Sequence, residues 1–396
     1  MKKIILNIFL PALFSCLFFY ACITEYNATG INEVGDILVV EGIITDNETC
    51  ITLSKSVNLK GDEWNITTAI SNARVYVECD DGSKTIAEPD IATNWKGQYF
   101  IKTGKLDLAH KYCLKIEIDE QENSSGGDWS SAPTKTYEYC SDYSYPIETP
   151  QIDSIFWKKR GIRQPVTIYV STHDEWNRVL YYRWSFEEDW EVHSEVYYYP
   201  YTYYCWNSAK NTELLLGSTE QTVFGRLTDI ITEMSCDSKK LKELYRITVK
   251  QNAISKKAYN YFTNIEKNAK QAGSIFSPIP SELRGNITCV TDPGRPVIGY
   301  VDVSTTTKNH MFITEADGVY EEIFNYDIGC GFFTADSLRK LYPEIAPNLP
   351  NNYIQYNTSS PPTPPILYVK IDCVDCSWEG NASTNRPDDW PNTEIE

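Results

Sequence analysis

ARVYVEC, residues 73 to 79, alternates Val75, Val77 and Cys79 with Arg74, Tyr76 and Glu78, and Asp80, Asp81, Gly82 and Ser83 follow at once. A period of two places the apolar set on one face, as in a half-buried antiparallel strand, and the Asp-Gly sequence supplies the hairpin turn. Upstream, ILVVEGIITD (Ile37 to Asp46) reads as a buried strand ending in a turn. Downstream, GQYFI (97 to 101) and YCLKIEI (112 to 118) continue the rhythm, with Leu114, Ile116 and Ile118 facing one way. Strands at this short spacing predict an antiparallel β-sandwich over residues 37–145.

A second β-rich region is expected over 146–376, opening after Pro146 and Pro150 with Ile152 to Trp157, Val166 to Val170 and Val179 to Phe186. The first pattern resembles prealbumin-like sandwiches, and the second an immunoglobulin- or fibronectin-like one, so the expected class is mainly β with tandem sandwiches. One amphipathic helix interrupts it at 255–272. Ser255 can cap it, Ala258, Phe262, Ile265 and Ala269 form an apolar stripe, and Gly273 can end it. Residues 119–135 read as a polar loop, Pro361 to Pro365 as a stiff connector into the strand Ile366 to Ile371, and 377–396 as a poorly ordered acidic tail.

The chain begins with Met1-Lys2-Lys3, an apolar run from Ile4 to Tyr20, then Ala21-Cys22 and polar sequence. That order predicts a signal peptide over 1–21, with Cys22 as the acylated first residue of a lipoprotein, palmitate included, and a tether over 22–36. An uncleaved membrane anchor is the alternative, against which Pro11 and the small residue at 21 speak. Cys16 is a second candidate for acylation, but cutting there would leave Leu17 to Tyr20 exposed. The tether would reach at most about 50 Å, which holds the body close to the membrane.

Removal of 21 residues from 396 leaves 375, enough for two or three cores. With 54 acidic against 36 basic residues, the net charge of −18 repels nucleic acid and anionic lipid. Twelve cysteines less Cys16 and Cys22 leave ten: Cys50, Cys79, Cys113, Cys140, Cys205, Cys236, Cys289, Cys330, Cys373 and Cys376. An even count in an exported chain points to disulfides, with the pairing open.

Catalytic motifs are absent. There is no GxSxG, GxGxxG, P-loop or HExxH, and His110, His173, His193 and His310 are scattered without metal-ligand spacing. No metal site or cofactor is therefore expected. CVDC, Cys373 to Cys376, lies where a strand ends and lacks the helix N-terminus that a redox pair uses, so structural disulfide chemistry is expected there. Glu187-Glu188-Asp189 reads as a solvated charge run rather than a calcium site. The aromatic run from Tyr197 to Trp206, with Tyr197, Tyr199, Tyr201, Tyr203 and Trp206, offers planar rings to a glycan or peptide, or packs against a domain or partner.

From the helix onward the sequence resembles the domain-of-unknown-function family numbered four-two-four-nine. The resemblance is carried by Val249-Lys250-Gln251, Ala258-Tyr259-Asn260-Tyr261, GSIFSPIPSELRGNI (273 to 287), PVIGYVDVS (296 to 304), Cys205-Trp206 and ILVVEGIITD. It implies outer-membrane lipoproteins, often encoded beside a TonB-dependent receptor, and supplies no catalytic residues. The resulting expectation is a non-enzymatic, lipid-anchored outer-membrane protein, on either face, that assists such a receptor in capture or assembly. A surface glycan or peptide binder and a cell-surface hydrolase with an unrecognised carboxylate site are the alternatives.

Overall fold

The computed structural model describes residues 37–56, 69–88, 97–121, 134–271, 285–322, 330–345, 348–356, 366–378, 380 and 382–391. The leader, Cys22, the tether, most of the 119–135 loop, Gly273 and the Pro361 to Pro365 connector lie outside them. From Leu38 onward the chain forms one compact unit. Its architecture is mainly β, in antiparallel sheets with two helices, Lys256–Gln271 and Ala335–Leu341, among the described residues.

Two sheets enclose the first core. One runs in the order Val297–Gly299, Leu38–Gly42, Asn47–Lys55, Gln98–Gly104, and the other Ile287–Cys289, Thr134–Ser141, Tyr112–Gln121, Ala73–Cys79, Lys84–Ile86. The alternation in ARVYVEC is realised, since Val75, Val77 and Cys79 are buried, and Val75 and Val77 pack between the sheets with Leu114, Ile116, Ile51, Leu53, Tyr99 and Ile101. Buried Tyr99 keeps its hydroxyl satisfied by donating to the Ile70 carbonyl (2.9 Å) and accepting from the Ala73 amide (3.0 Å).

The 37–145 stretch does not complete these sheets by itself. Residues 285–304 return from far downstream and supply a strand to each of them, and Val303–Ser304 adds a short parallel pair with Ile44–Thr45. ILVVEGIITD and PVIGYVDVS are thus parallel neighbours, with Leu38 opposite Val297 and Val40 opposite Gly299. A Cβ on Gly285 would overlap the Gly299 carbonyl oxygen, so this close backbone crossing admits only glycine. Asn286 then fixes the register: its side chain donates to the Val301 carbonyl (2.7 Å) and accepts from the Val301 amide (2.8 Å), all three groups buried.

The second core lies between the sheet Arg226–Met234, Val166–His173, Ile152–Lys159 and the sheet Tyr204–Lys210, Tyr181–His193, Tyr245–Ala253, Thr306–Ile313, with Leu215–Ser218 pairing onto Tyr181–His193. Tyr182, Trp184, Tyr245, Ile247 and Val249 pack there against Val166, Ile168 and Val170. Gln251 is the polar pin of this core. It accepts from Trp184 Nε1 (2.8 Å) and donates to the Pro150 carbonyl (2.8 Å) and to Thr172 Oγ1 (3.1 Å), so a wholly buried amide loses none of its bonds.

Ser255 caps the long helix as expected, its hydroxyl accepting from the Ala258 amide (3.1 Å). Ala258 and Phe262 of the predicted stripe pack with Ile43, Tyr181, Leu216 and Tyr300, groups drawn from both β regions. A small C-terminal sheet, Phe333–Thr334, Leu367–Lys370, Tyr353–Tyr356, completes the architecture.

The tail reading is corrected. Beyond Cys376, Ser383 bridges to Trp206 and Trp390 is 6% exposed, because an indole with a nearby acceptor gains more by docking than the local charge loses. Substituting Asn286→Ala would leave two buried Val301 backbone groups unpaired. It is expected to lower unfolding free energy by about 2–4 kcal/mol in a denaturant titration.

Candidate functional site

The 13-residue strand Tyr181–His193 runs antiparallel to Tyr204–Lys210, and the segment joining them carries the tyrosine run. Its backbone folds back early, with the Ser194 amide on the Tyr203 carbonyl (3.0 Å) and the Tyr201 amide on the Tyr198 carbonyl (2.9 Å). The Tyr199–Pro200 bond is cis. Cys205 is bonded to Cys376, and Cys330 to Cys373. Both cysteines of CVDC are therefore disulfide-bonded, each to a distant partner.

The remaining six cysteines expected in disulfides, Cys50, Cys79, Cys113, Cys140, Cys236 and Cys289, are free thiols. The even count misled because a cysteine also serves as a small buried side chain: Cys113 and Cys289 sit at buried strand positions, and Cys236 is buried in a turn.

The tyrosines divide between two environments. Tyr198 and Tyr201 stack on each other (5.9 Å) and, with Val196, cover Val369, Cys373 and Val374; Tyr198 also meets Tyr356 at 4.6 Å. Tyr197 and Tyr199 point outward, 71% and 83% exposed. Tyr203 lies on the His193 ring (5.3 Å) with Tyr197 edge-on to it (5.8 Å). Trp206 is half-buried, and its backbone pairs with Ser383 (2.8 and 2.7 Å). The five predicted rings thus do not form one stacking face: Tyr197 and Tyr203 are brought together, Tyr199 stands out into solvent, Tyr201 packs inward and Trp206 is engaged by the tail.

Beside Tyr203 lies a groove of about 410 Å³, lined by Trp190, Glu191, His193, Glu195, Lys242 and Glu243 among others. Of these, Glu191 is buried, 2% exposed. One carboxylate oxygen lies 2.5 Å from His193 Nε2, and the other accepts from the Trp390 indole (3.0 Å). The second imidazole nitrogen faces Glu243 at 3.4 Å. Burial pushes the Glu191 carboxyl up, but the bonds from His193 and Trp390 outweigh it and hold the group below the usual carboxylate range. Tyr204 meets His193 edge-on (4.7 Å). Two carboxylates and two phenol rings orient this imidazole, and none of them is a serine- or cysteine-type nucleophile. The arrangement offers a polar ligand donors, acceptors and aromatic faces. Sequence reading missed it because the partners lie at 191, 193, 243 and 390, and only the two-residue spacing of Glu191 and His193 on one strand face was visible.

The neighbouring acids are paired. Glu187 meets Lys250 (2.8 Å), Glu188 meets Lys240 (2.6 Å) and Asp189 meets Arg246 (2.8 Å). A larger cavity of about 530 Å³ lies by Tyr145, Ile147, Thr149, Asp174 and Arg178. There Asp174 accepts from the amides of Trp176, Arg178 and Val179, which makes it a loop clasp. Of the other histidines, His173 contacts Asp153 (2.6 Å), His310 sits edge-on to Phe312, and His110 contacts Asp80 (2.7 Å). Cys79 joins His110 and Asp80 in a group whose ligand atoms all lie within 4.8 Å of one another, the one such set among the described residues.

A family model described as a domain of unknown function, DUF4249, matches residues 23–310. The chain belongs to the DUF4249 family. The match spans both β regions and includes the tyrosine run and His193, but stops short of Cys330, Cys373, Cys376 and Trp390, so the small C-terminal sheet and the tail that clamp the DUF4249 hairpin lie outside it. No curated protein matches the chain. Among solved structures, that of the selenomethionine-substituted chicken interferon gamma receptor alpha chain is 12% identical, covers 55% of this chain and 89% of its own, and has a TM-score of 0.15, which carries no argument.

Two expectations follow. Because Glu191 is held low, its contribution to stability is present above the ordinary carboxylate range and is lost as pH falls through its folded value. Glu191→Gln should therefore cost about 1–3 kcal/mol at pH 7 and flatten the loss of stability between about pH 5 and pH 3, as followed by denaturant midpoints. The Cys205–Cys376 bond closes a separation of 171 residues. The Cys205→Ser/Cys376→Ser variant should lose about 2–5 kcal/mol, with faster amide exchange in 194–206.

Proposed function

We propose that this chain is a lipid-anchored, non-enzymatic binding protein of the outer membrane that assists a TonB-dependent receptor in capture or assembly, with the tyrosine hairpin as its contact surface. The observation that carries this reading is the exposure of Tyr197 and Tyr199 on a segment where Tyr198 and Tyr201 are packed inward and whose base is fixed by a disulfide. Exposed aromatic rings on a pre-organised backbone give contact area at small entropic cost, as interface anchors do. The leader and its acylable Cys22 support the location, and a short tether keeps the hairpin near a membrane-embedded partner. No helix among the described residues is long and apolar enough to cross a membrane.

Affinity co-purification from solubilised outer membranes tests the proposal. The wild-type chain should retain a TonB-dependent receptor, Tyr197→Ala/Tyr199→Ala should retain at least about tenfold less with an unchanged melting temperature, and Cys22→Ser should lose palmitate labelling. Failure of the wild-type chain to recover any receptor, under conditions that preserve known receptor complexes, would overturn the proposal.

A second reading, glycan or peptide binding, is favoured by the placement of Tyr203 beside the Glu191–His193 groove. Aromatic faces next to paired donors and acceptors suit such ligands. Tyr203→Ala should then weaken ligand retention; unchanged retention would remove this surface from consideration.

A further inference from the structure

His110 lies 30 residues beyond Asp80 in sequence, yet Cys79, Asp80 and His110 share one corner of the first sandwich. Backbone bonds put them there. Cys79 ends its strand with its amide on the Ser83 carbonyl (2.9 Å), while the Gly82 amide returns to the Cys79 carbonyl (3.0 Å), which closes the turn. The Asp80 amide donates to the Lys111 carbonyl (2.9 Å) and ties that turn to the loop carrying His110. Asp107 shapes the loop in turn, accepting from the Ala109 amide through its side chain (2.9 Å) and from the His110 amide through its carbonyl (3.2 Å). All three side chains are short, so little rotamer freedom remains to be lost on closing around a ligand.

We propose that Cys79 Sγ, Asp80 Oδ1 and His110 Nδ1 form a three-ligand zinc site with its fourth coordination position open to water. Sγ lies 3.7 Å and Nδ1 2.7 Å from the same Asp80 oxygen. Tetrahedral zinc, with bonds of ~2.3 Å to sulfur and ~2.1 Å to nitrogen or oxygen, holds its ligand atoms about 3.5 Å apart, so a small outward rotation of the His110 ring admits the ion. Donor chemistry selects the metal class. A thiolate with an imidazole and one carboxylate suits zinc and fails the all-oxygen demand of calcium and magnesium. The thiol is 5% exposed and has no disulfide partner, and the carboxylate and imidazole are each partly open to water, which leaves a route for the ion and a solvent ligand. Binding forms the S–Zn, N–Zn and O–Zn bonds, and the thiol proton passes to solvent.

The same fold holds a competing thiol pair, Cys113 and Cys140, with sulfurs 3.9 Å apart, and the experiment separates the two. The full mature chain is reduced, freed of metal and titrated with zinc chloride against a chromophoric chelator, and with cobalt(II) followed in the near ultraviolet. One equivalent of zinc and a thiolate-to-cobalt charge-transfer band are expected. Both should persist in Cys113→Ser/Cys140→Ser, and the band should disappear in Cys79→Ser. His110→Ala should lower zinc affinity by more than about 100-fold, beyond the effect of removing an outer-sphere partner. Since Cys79 is buried and its variant could misfold, His110→Ala on the partly exposed loop carries the test independently. Unchanged zinc affinity in that variant, a band that survives Cys79→Ser, or no stoichiometric binding by the wild type overturns the assignment.

Discussion

The parallel pairing of Leu38–Gly42 with Val297–Gly299 is the constraint on which the rest of the structure depends. Parallel neighbours cannot be joined by a tight turn and need a crossover. Here everything between them serves as that crossover, including the second core and the long helix. The first sandwich is therefore complete only once the chain has built the second and returned. Asp302 shows how closely the regions are joined: its carbonyl accepts from the Ile44 amide (2.9 Å) and its carboxylate from the Ser255 amide at the helix start (2.6 Å). Burial pushes that carboxyl above its ordinary range, disfavouring its charged form by more than its bonds from Ser255 and Val303 favour it.

The hairpin and the groove follow from a second closure. The small C-terminal sheet is attached to the hairpin through Cys376 and by packing of Tyr198 and Tyr201 on Val369 and Val374. Trp390 then donates to the buried Glu191. A buried carboxylate with one donor on each oxygen is satisfied, whereas the same group without the tail would keep one oxygen bare at a cost of about 1–3 kcal/mol. The acidic tail thus meets the candidate site through Trp390 on Glu191 and through Gly380 in the groove lining. Local ion pairs across neighbouring strands, such as Asp189 with Arg246, absorb part of the excess negative charge and are tied to the same sheet.

Much of the fold was legible because it rests on periodicity. ARVYVEC, the Leu114-Ile116-Ile118 face and the capped helix at Ser255 each follow from local spacing, and each has the predicted burial or cap. The site was less legible. The tyrosine run was visible, but which rings face water depends on Val369 and Tyr356, far along the chain. Ten cysteines suggested a disulfide framework, yet bonding requires two sulfurs to meet, and composition does not encode that distance.

The sequence alone determined the family, the β class and the helix, because these depend on residue type and on spacings of two to four residues. Tertiary structure alone decided that 285–304 completes both sheets of the first core. It also decided that Cys205 and Cys330 reach past each other's neighbours in CVDC, that Trp390 docks on Glu191, and that Cys79, Asp80 and His110 meet. Each of these is a contact between distant segments, fixed by backbone register and core packing, and no local pattern of residues carries that information.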